Sequence, residues 1–192
     1  MFQFDFPQWD IDLFRYLNSL HAKWLDPVMI FLSSHWSWMI LFLIVSIFMI
    51  RRSRYWGVRE IILILVTVVA NSIINNIVKV IIQRPRPCQN EELEATIRVL
   101  EDCGTRYSFF SAHSSNAFCL AICTALFFRN KYYSVLILIW ATAVAYSRIY
   151  VGKHYPLDII VGITFGVLMS FIGSFLLDRF REQKIEHPDY NK

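Results

Sequence analysis

Three short stretches of the 192-residue chain concentrate side chains able to do chemistry. Lys79, Arg84 and Arg86 lie in KVIIQRPRP, Ser111 and His113 in SFFSAHSSN, and Arg148, Lys153, His154 and Asp158 in SRIYVGKHYPLD. Lys79, Arg86 and Arg148 are residue types that hold phosphoryl oxygens, the guanidinium groups in bidentate fashion. Ser111 precedes an apolar helical run as an N-cap would, which points the amides of residues 112–114 outward as anion donors. His154 and Asp158 are four apart with Pro156 between them. Proline suits a first helical turn, so a helix is expected to start near Tyr155. An aspartate in that turn accepts a hydrogen bond from one ring nitrogen of a preceding histidine and leaves the other as nucleophile or base. His113 is then the complementary acid for a leaving oxygen. Two histidines with separate roles beside a cationic cradle make a phosphoryl-transfer site that requires no metal or other cofactor. Singly, each cation reads more simply as a side chain snorkelling to an interface, and Lys153 keeps that reading.

The elements that must position these residues are apolar. Hydrophobic residues make up 56% of the chain and aromatics 16%, above the usual share for a soluble domain. Apolar runs lie at about 28–50, 60–82, 112–128, 133–150 and 157–177, each near the ~20 residues that span a bilayer. The expected fold is all-α: one membrane-embedded domain over 1–192, a polytopic transmembrane helix bundle of about five spans, with six as the alternative. Within it, 26–178 form the bundle and 179–192 a cytoplasmic tail. SSHWSW (Ser33 to Trp38) interrupts the first span and suggests a broken or tilted helix. Before it, Ile11, Phe14, Leu17 and Leu20 are spaced as on an amphipathic helix lying in the interface, within 1–25. These first 25 residues lack the basic start and apolar run of a cleavable signal.

The formal charge of +4 is spread around the ends of the apolar runs instead of forming one patch, which argues against nucleic acid as a partner. The short loops RRSRYWGVRE, RNK and DRFREQK hold nine Lys or Arg and fall on one side of a five-span chain. That side is expected to be cytoplasmic, and the 83–110 loop and the 151–156 turn to face outward. All three chemical stretches then meet at the outer end. Asn71, Asn75 and Lys79 make a polar face on the second span, expected to point into the bundle. Gly162, Gly166, Ser170 and Ser174 make a small-residue face on the fifth, expected to pack another helix closely. Cys119 and Cys123 read as small buried hydrophobes. Cys88 and Cys103 share the outer loop, where a disulfide or two free thiols are both open.

The spacings Lys79–six residues–Arg86-Pro87 and Ser147-Arg148–five residues–His154–three residues–Asp158, with Ser111 and His113 between, resemble the motifs of the type-2 phosphatidic acid phosphatase family. That family shares its fold and site with vanadium-dependent haloperoxidases. The likeness covers about residues 60–177. The middle motif, usually Pro-Ser-Gly-His, is here Phe110-Ser111-Ala112-His113, so the local backbone must do without a glycine's freedom. The resemblance implies that His154 attacks phosphorus and Asp158 orients it. His113 protonates the leaving group, and Lys79, Arg86, Ser111 and Arg148 hold the phosphate; Arg84 lies outside the pattern. It implies an integral membrane phosphatase acting on a phospholipid or polyprenyl phosphate. Polyprenyl pyrophosphate, phosphatidylglycerol phosphate, phosphatidic acid and a lipid A phosphate are all open, and the expected location is a bacterial inner membrane with the site facing the periplasm or exterior. A vanadate-dependent haloperoxidase and a non-catalytic binder or transporter of anionic lipids are the alternatives.

Overall fold

The computed structural model describes residues 5–186, and every regular element among them is helical. In chain order these are α1 (Gln8–Ser19), α2 (Asp26–Ser33), α3 (His35–Arg52), α4 (Arg54–Ile82), α5 (Glu91–Glu94), α6 (Ala112–Phe128), α7 (Lys131–Tyr150) and α8 (Pro156–Glu186), with a single 3-10 turn at Pro87–Gln89. Four of them, α3, α4, α7 and α8, are long and apolar enough to cross a membrane, and α6 is a shorter apolar helix. The helix α8 runs on through 179–186 of the expected tail, whose remainder, 187–192, lies outside the described residues.

Local chemistry explains where the helices break. The interruption expected in the first span is real: Ser34 adopts an extended conformation between α2 and α3, and its Oγ donates to the Phe31 carbonyl at 2.7 Å. The polar stretch 51–60, expected to be a loop, is almost wholly helical, and Ser53 alone joins α3 to α4. Such a tight reversal needs Gly57, where an added Cβ would lie 2.4 Å from the Met49 carbonyl oxygen. At the opposite end Gln83 terminates α4 in the left-handed conformation (φ 53°), and the prolines that follow cannot continue a helix. Asn130 caps α7 by accepting from the amides of Tyr132 and Tyr133, both at 3.0 Å.

The central helix is α6, which packs against α8, α7 and α4. Its contact with α8 is made by the small-residue face: Gly162 lies over Ser111, Gly166 over Ser115, and Ser170 is fully buried. The stripe therefore serves internal packing, with backbone against backbone. The polar face of α4 is buried as expected and extends further, through Glu60, Thr67, Asn71, Asn75 and Lys79. Asn71 accepts from Ser115 Oγ at 2.8 Å and also bonds Asn116. These bonds satisfy amide groups that would be costly unpaired inside a bundle. Outward faces of α3, α4, α7 and α8 carry exposed Leu43, Val66, Leu136 and Phe171, the surface that lipid covers.

The helix α1 forms where the apolar spacing placed it, and the structure adds which face meets the bundle. Asp10, Phe14 and Asn18 form its buried face. Of the expected apolar face only Phe14 is fully buried, Ile11 and Leu17 are half-buried, and Leu20 is exposed with Trp9, Leu13 and Tyr16. The helix is strapped across the end of the bundle where α4 and α7 stop, with the Asn18 amide reaching the carbonyls of Arg98, Ile149 and Tyr150 at 3.0–3.1 Å.

Candidate active site

All three chemical stretches converge at the end of the bundle where α4 stops, α6 and α8 begin and α7 stops. The helix α8 starts at Pro156, which places Asp158 in its first turn. His154 sits just before it and is 2% exposed; Asp158 is fully buried. One Asp158 oxygen, Oδ2, lies 3.4 Å from His154 Nδ1 and accepts from the Tyr155 amide at 3.0 Å. That separation is longer than an ordinary hydrogen bond and brings the ring nitrogen and the carboxylate into electrostatic contact. Burial, then the charges of Lys79, Arg148 and Arg86, hold the His154 imidazole well below its ordinary pKa. The ring is therefore neutral at pH 7, the form a nucleophile needs.

The residues expected to hold phosphate lie around this pair. Ser111 caps α6, its Oγ accepting from the Ser114 amide at 3.3 Å, and its own amide donates to the Asp158 carbonyl at 3.0 Å. This last bond ties the start of α6 directly to the start of α8. The departure from a Gly at 112 is harmless: among the described non-glycine residues only Gln83 and Arg129 have positive φ, so Ala112 needs no left-handed backbone. Phe110, in place of proline, packs its ring against Phe165 at 5.0 Å between centroids. His113, on the first turn of α6, is close enough to Arg148 and His154 to interact with both electrostatically. Lys79 Nζ donates to the carbonyls of Tyr107 and Ser108 at 2.8 and 3.2 Å, and Arg86 donates to the Cys103 carbonyl. Arg148 bonds Ser33, where α2 breaks. Both Arg86 Nε and Arg148 Nε are buried without a protein acceptor, donors suited to an anion's oxygens.

Four residues of this region were not legible as site residues from spacing. Arg84, outside the motif, is not at the lipid interface: it is 4% exposed and ion-paired to Asp158 Oδ1 at 2.7 Å and Asp10 Oδ2 at 2.6 Å. Lys153 is not an anchor either, since it pairs with Glu101 Oε2 at 2.7 Å, an oxygen that also lies 3.6 Å from Arg148. Glu101, though half-desolvated, has its carboxyl held below the usual range by Lys153, Ser33 and Arg148. His35, which has no partner within its own stretch, stacks edge-on with His113 at 5.7 Å between centroids. Cys88 and Cys103 are joined, with Cα atoms 5.9 Å apart, which pins the 83–110 loop beside Arg86. Cys119 and Cys123 are free and buried, as expected. Among the described residues no group of three His, Cys, Asp or Glu converges as a metal site would require.

The profile of the PAP2 superfamily matches residues 60–181. A lipid A 4'-phosphatase from Porphyromonas gingivalis is 29% identical over 162 residues, covering 83% of this chain and 69% of the relative. The undecaprenyl-diphosphatase BcrC of Bacillus subtilis is 26% identical over 165 residues, covering 84% and 80%. In three dimensions the chain resembles a transmembrane PAP2-type phosphatidylglycerolphosphate phosphatase from Bacillus subtilis, with a TM-score of 0.74, 22% identity and coverage of 90% of this chain and 86% of that one. It also resembles LpxE of Aquifex aeolicus, with a TM-score of 0.72, 22% identity and coverage of 88% and 96%.

Proposed function

The chain belongs to the PAP2 superfamily, and we propose that it is an integral membrane phosphatase that removes phosphate from a lipid-linked phosphate or diphosphate through a phosphohistidine at His154. The observation that carries the assignment is the buried His154–Asp158 pair set among Lys79, Arg86 and Arg148. A mere anion binder has no use for an oriented, neutral imidazole. With Nδ1 turned to Asp158, Nε2 attacks phosphorus as the bond from phosphorus to the lipid oxygen breaks. His113 gives its proton to that oxygen, and the lipid leaves as an alcohol or, from a diphosphate, as a monophosphate. Water then attacks the phosphohistidine, His113 takes its proton, and inorganic phosphate departs. Charge gathering on the equatorial oxygens meets Lys79, Arg86, Arg148 and the amides at the start of α6.

The substrate's tails stay in lipid while its phosphate enters at the bundle end. Lipid A 4'-phosphatases and undecaprenyl-diphosphatases among the relatives favour a phosphate or diphosphate on a large lipid over a soluble ester. Arg51, Arg52, Arg54, Arg59, Arg129 and Lys131 mark the end opposite the site, and the Cys88–Cys103 disulfide lies at the site's own end. Both features support a bacterial inner membrane with the site on the oxidising, periplasmic or exterior side. The test is phosphate release by the detergent-solubilised protein from a panel of polyprenyl diphosphate, phosphatidylglycerol phosphate, phosphatidic acid and lipid A. We expect release from at least one that persists in EDTA and is inhibited by vanadate. No release from any of them, or full turnover by His154→Ala, overturns the proposal.

A further inference from the structure

We propose that Arg84 and Asp10 are positioning residues that aim the Asp158 carboxylate at His154, so that α1 forms part of the catalytic apparatus. The inference rests on the phosphatase reading above. A carboxylate on a short side chain is fixed in rotation once one oxygen is held. Here Oδ1 of Asp158 is held by Arg84 Nη1 at 2.7 Å, which leaves Oδ2 for the Tyr155 amide and for His154 Nδ1. Arg84 is in turn immobilised on three sides. Its Nη2 donates to Asp10 Oδ2 at 2.6 Å, and its guanidinium lies between the rings of Phe6 and Tyr155, 3.8 and 3.9 Å from their centroids. Asp10 spends its other oxygen on the Leu157 amide at 2.8 Å, in the first turn of α8 next to Asp158 itself. The four side chains thus run His154–Asp158–Arg84–Asp10, all fully or almost fully buried.

The arrangement is specific in two ways. A planar guanidinium reaches both carboxylates at once, which an ammonium cannot do with the same geometry. Burying it there is tolerable only because both counter-charges are present. Asp10 also lies outside the matched residues 60–181, so the N-terminal strap supplies a support for the catalytic pair that the matched segment does not contain.

The experiment compares wild type with Arg84→Gln, Arg84→Lys and Asp10→Asn on the best lipid of the panel, measuring kcat, KM and the rate of phosphoenzyme formation in a single turnover. Each variant is first checked by size-exclusion profile and melting temperature. Arg84→Gln is expected to lower kcat about 10- to 100-fold, the scale on which loss of an outer hydrogen-bond partner impairs a functional histidine at metal sites, with KM changed less than about threefold. Phosphoenzyme formation slows in parallel, and Arg84→Lys recovers part of the loss. Asp10→Asn keeps the shape and the acceptor for Leu157, and lowers kcat in the same direction; it decides the matter if Arg84→Gln does not fold. A folded Arg84→Gln or Asp10→Asn with wild-type kcat, or a loss confined to KM, overturns the inference and leaves the phosphatase assignment standing. A wild type inactive on the whole panel overturns both.

Discussion

Gly166→Ala is the smallest change that should disturb the site from a distance, because it acts on the contact that sets the two catalytic helices against each other. A Cβ at Gly166 would lie 2.0 Å from the Ser115 carbonyl oxygen on α6, where ordinary contact begins at 3.4 Å. The difference, 3.4 − 2.0, is about 1.4 Å, and the obstacle is backbone, so α8 must move relative to α6 by roughly that amount. The helix α6 carries Ser111 and His113 and α8 carries Asp158, with the Ser111 amide bonded to the Asp158 carbonyl at 3.0 Å. Misplacement of catalytic groups by about 1 Å costs on the order of 100-fold in rate, which is about 2.7 kcal/mol of barrier. Overpacking also lowers stability by about 1–3 kcal/mol. The assay is kcat for phosphate release together with the melting temperature in detergent, with Ile172→Ala on the lipid-facing side of α8 as the control expected to match wild type. Wild-type kcat and melting temperature in Gly166→Ala would refute the reasoning that α6–α8 contact fixes the site's geometry.

Three further outcomes are expected. Because the His154 pKa is depressed by burial and the neighbouring cations, its neutral form persists below the ordinary value of about 6.5; the acid limb of kcat/KM should fall below pH 6.5, and a limb at or above that pH contradicts the assignment. The same sign makes His154 cost stability as pH falls through the unfolded value, since the unfolded chain takes up the proton and the folded site resists it. Lys79→Met removes the buried amine from the proposed phosphate site and should weaken vanadate inhibition by about 10- to 100-fold, in line with about 1.5–3 kcal/mol for a hydrogen bond to a charged group; unchanged inhibition would place Lys79 outside the anion site. Replacing Cys88 and Cys103 by serine opens a loop of sequence separation 15, worth about 3 kcal/mol by chain entropy, and should lower the melting temperature and raise KM, because Arg86 is held against the Cys103 carbonyl. A double-serine variant identical to wild type in both would contradict this.

The spans and the motif residues were legible because each rests on short-range pattern: apolar runs of membrane length, a proline opening α8, a serine capping α6. The polar face of α4 and the small-residue face of α8 followed from helical period in the same way. Arg84 was not legible, since its partners Asp10 and Asp158 lie 74 residues away in either direction. The doubled RPRP offered one signal, two arginines where the motif needs one, but nothing in its spacing told an inward guanidinium from an interfacial one. Which face of α1 meets the bundle was not legible, for a physical reason. Hydrophobic periodicity assumes that the polar face meets water, whereas this helix turns Asp10 and Asn18 toward the bundle's own polar end and leaves Trp9, Leu13 and Tyr16 outward. The polar stretch at 51–60 was misjudged as a loop because its arginines signal an interface, and an interface does not by itself break a helix. His35 meets His113 from the start of α3, just past the break at Ser34, a contact across 78 residues that spacing does not show.

Rapid-quench trapping tests the phosphohistidine most directly. Wild-type protein mixed with a substrate labelled in its transferable phosphate should carry an acid-labile, alkali-stable label that maps to His154, form it no more slowly than it turns over, and lose it on chase with unlabelled substrate. His154→Ala should show neither label nor turnover. Steady phosphate release with no trapped label in wild type, or sustained release by His154→Ala, would contradict attack by His154.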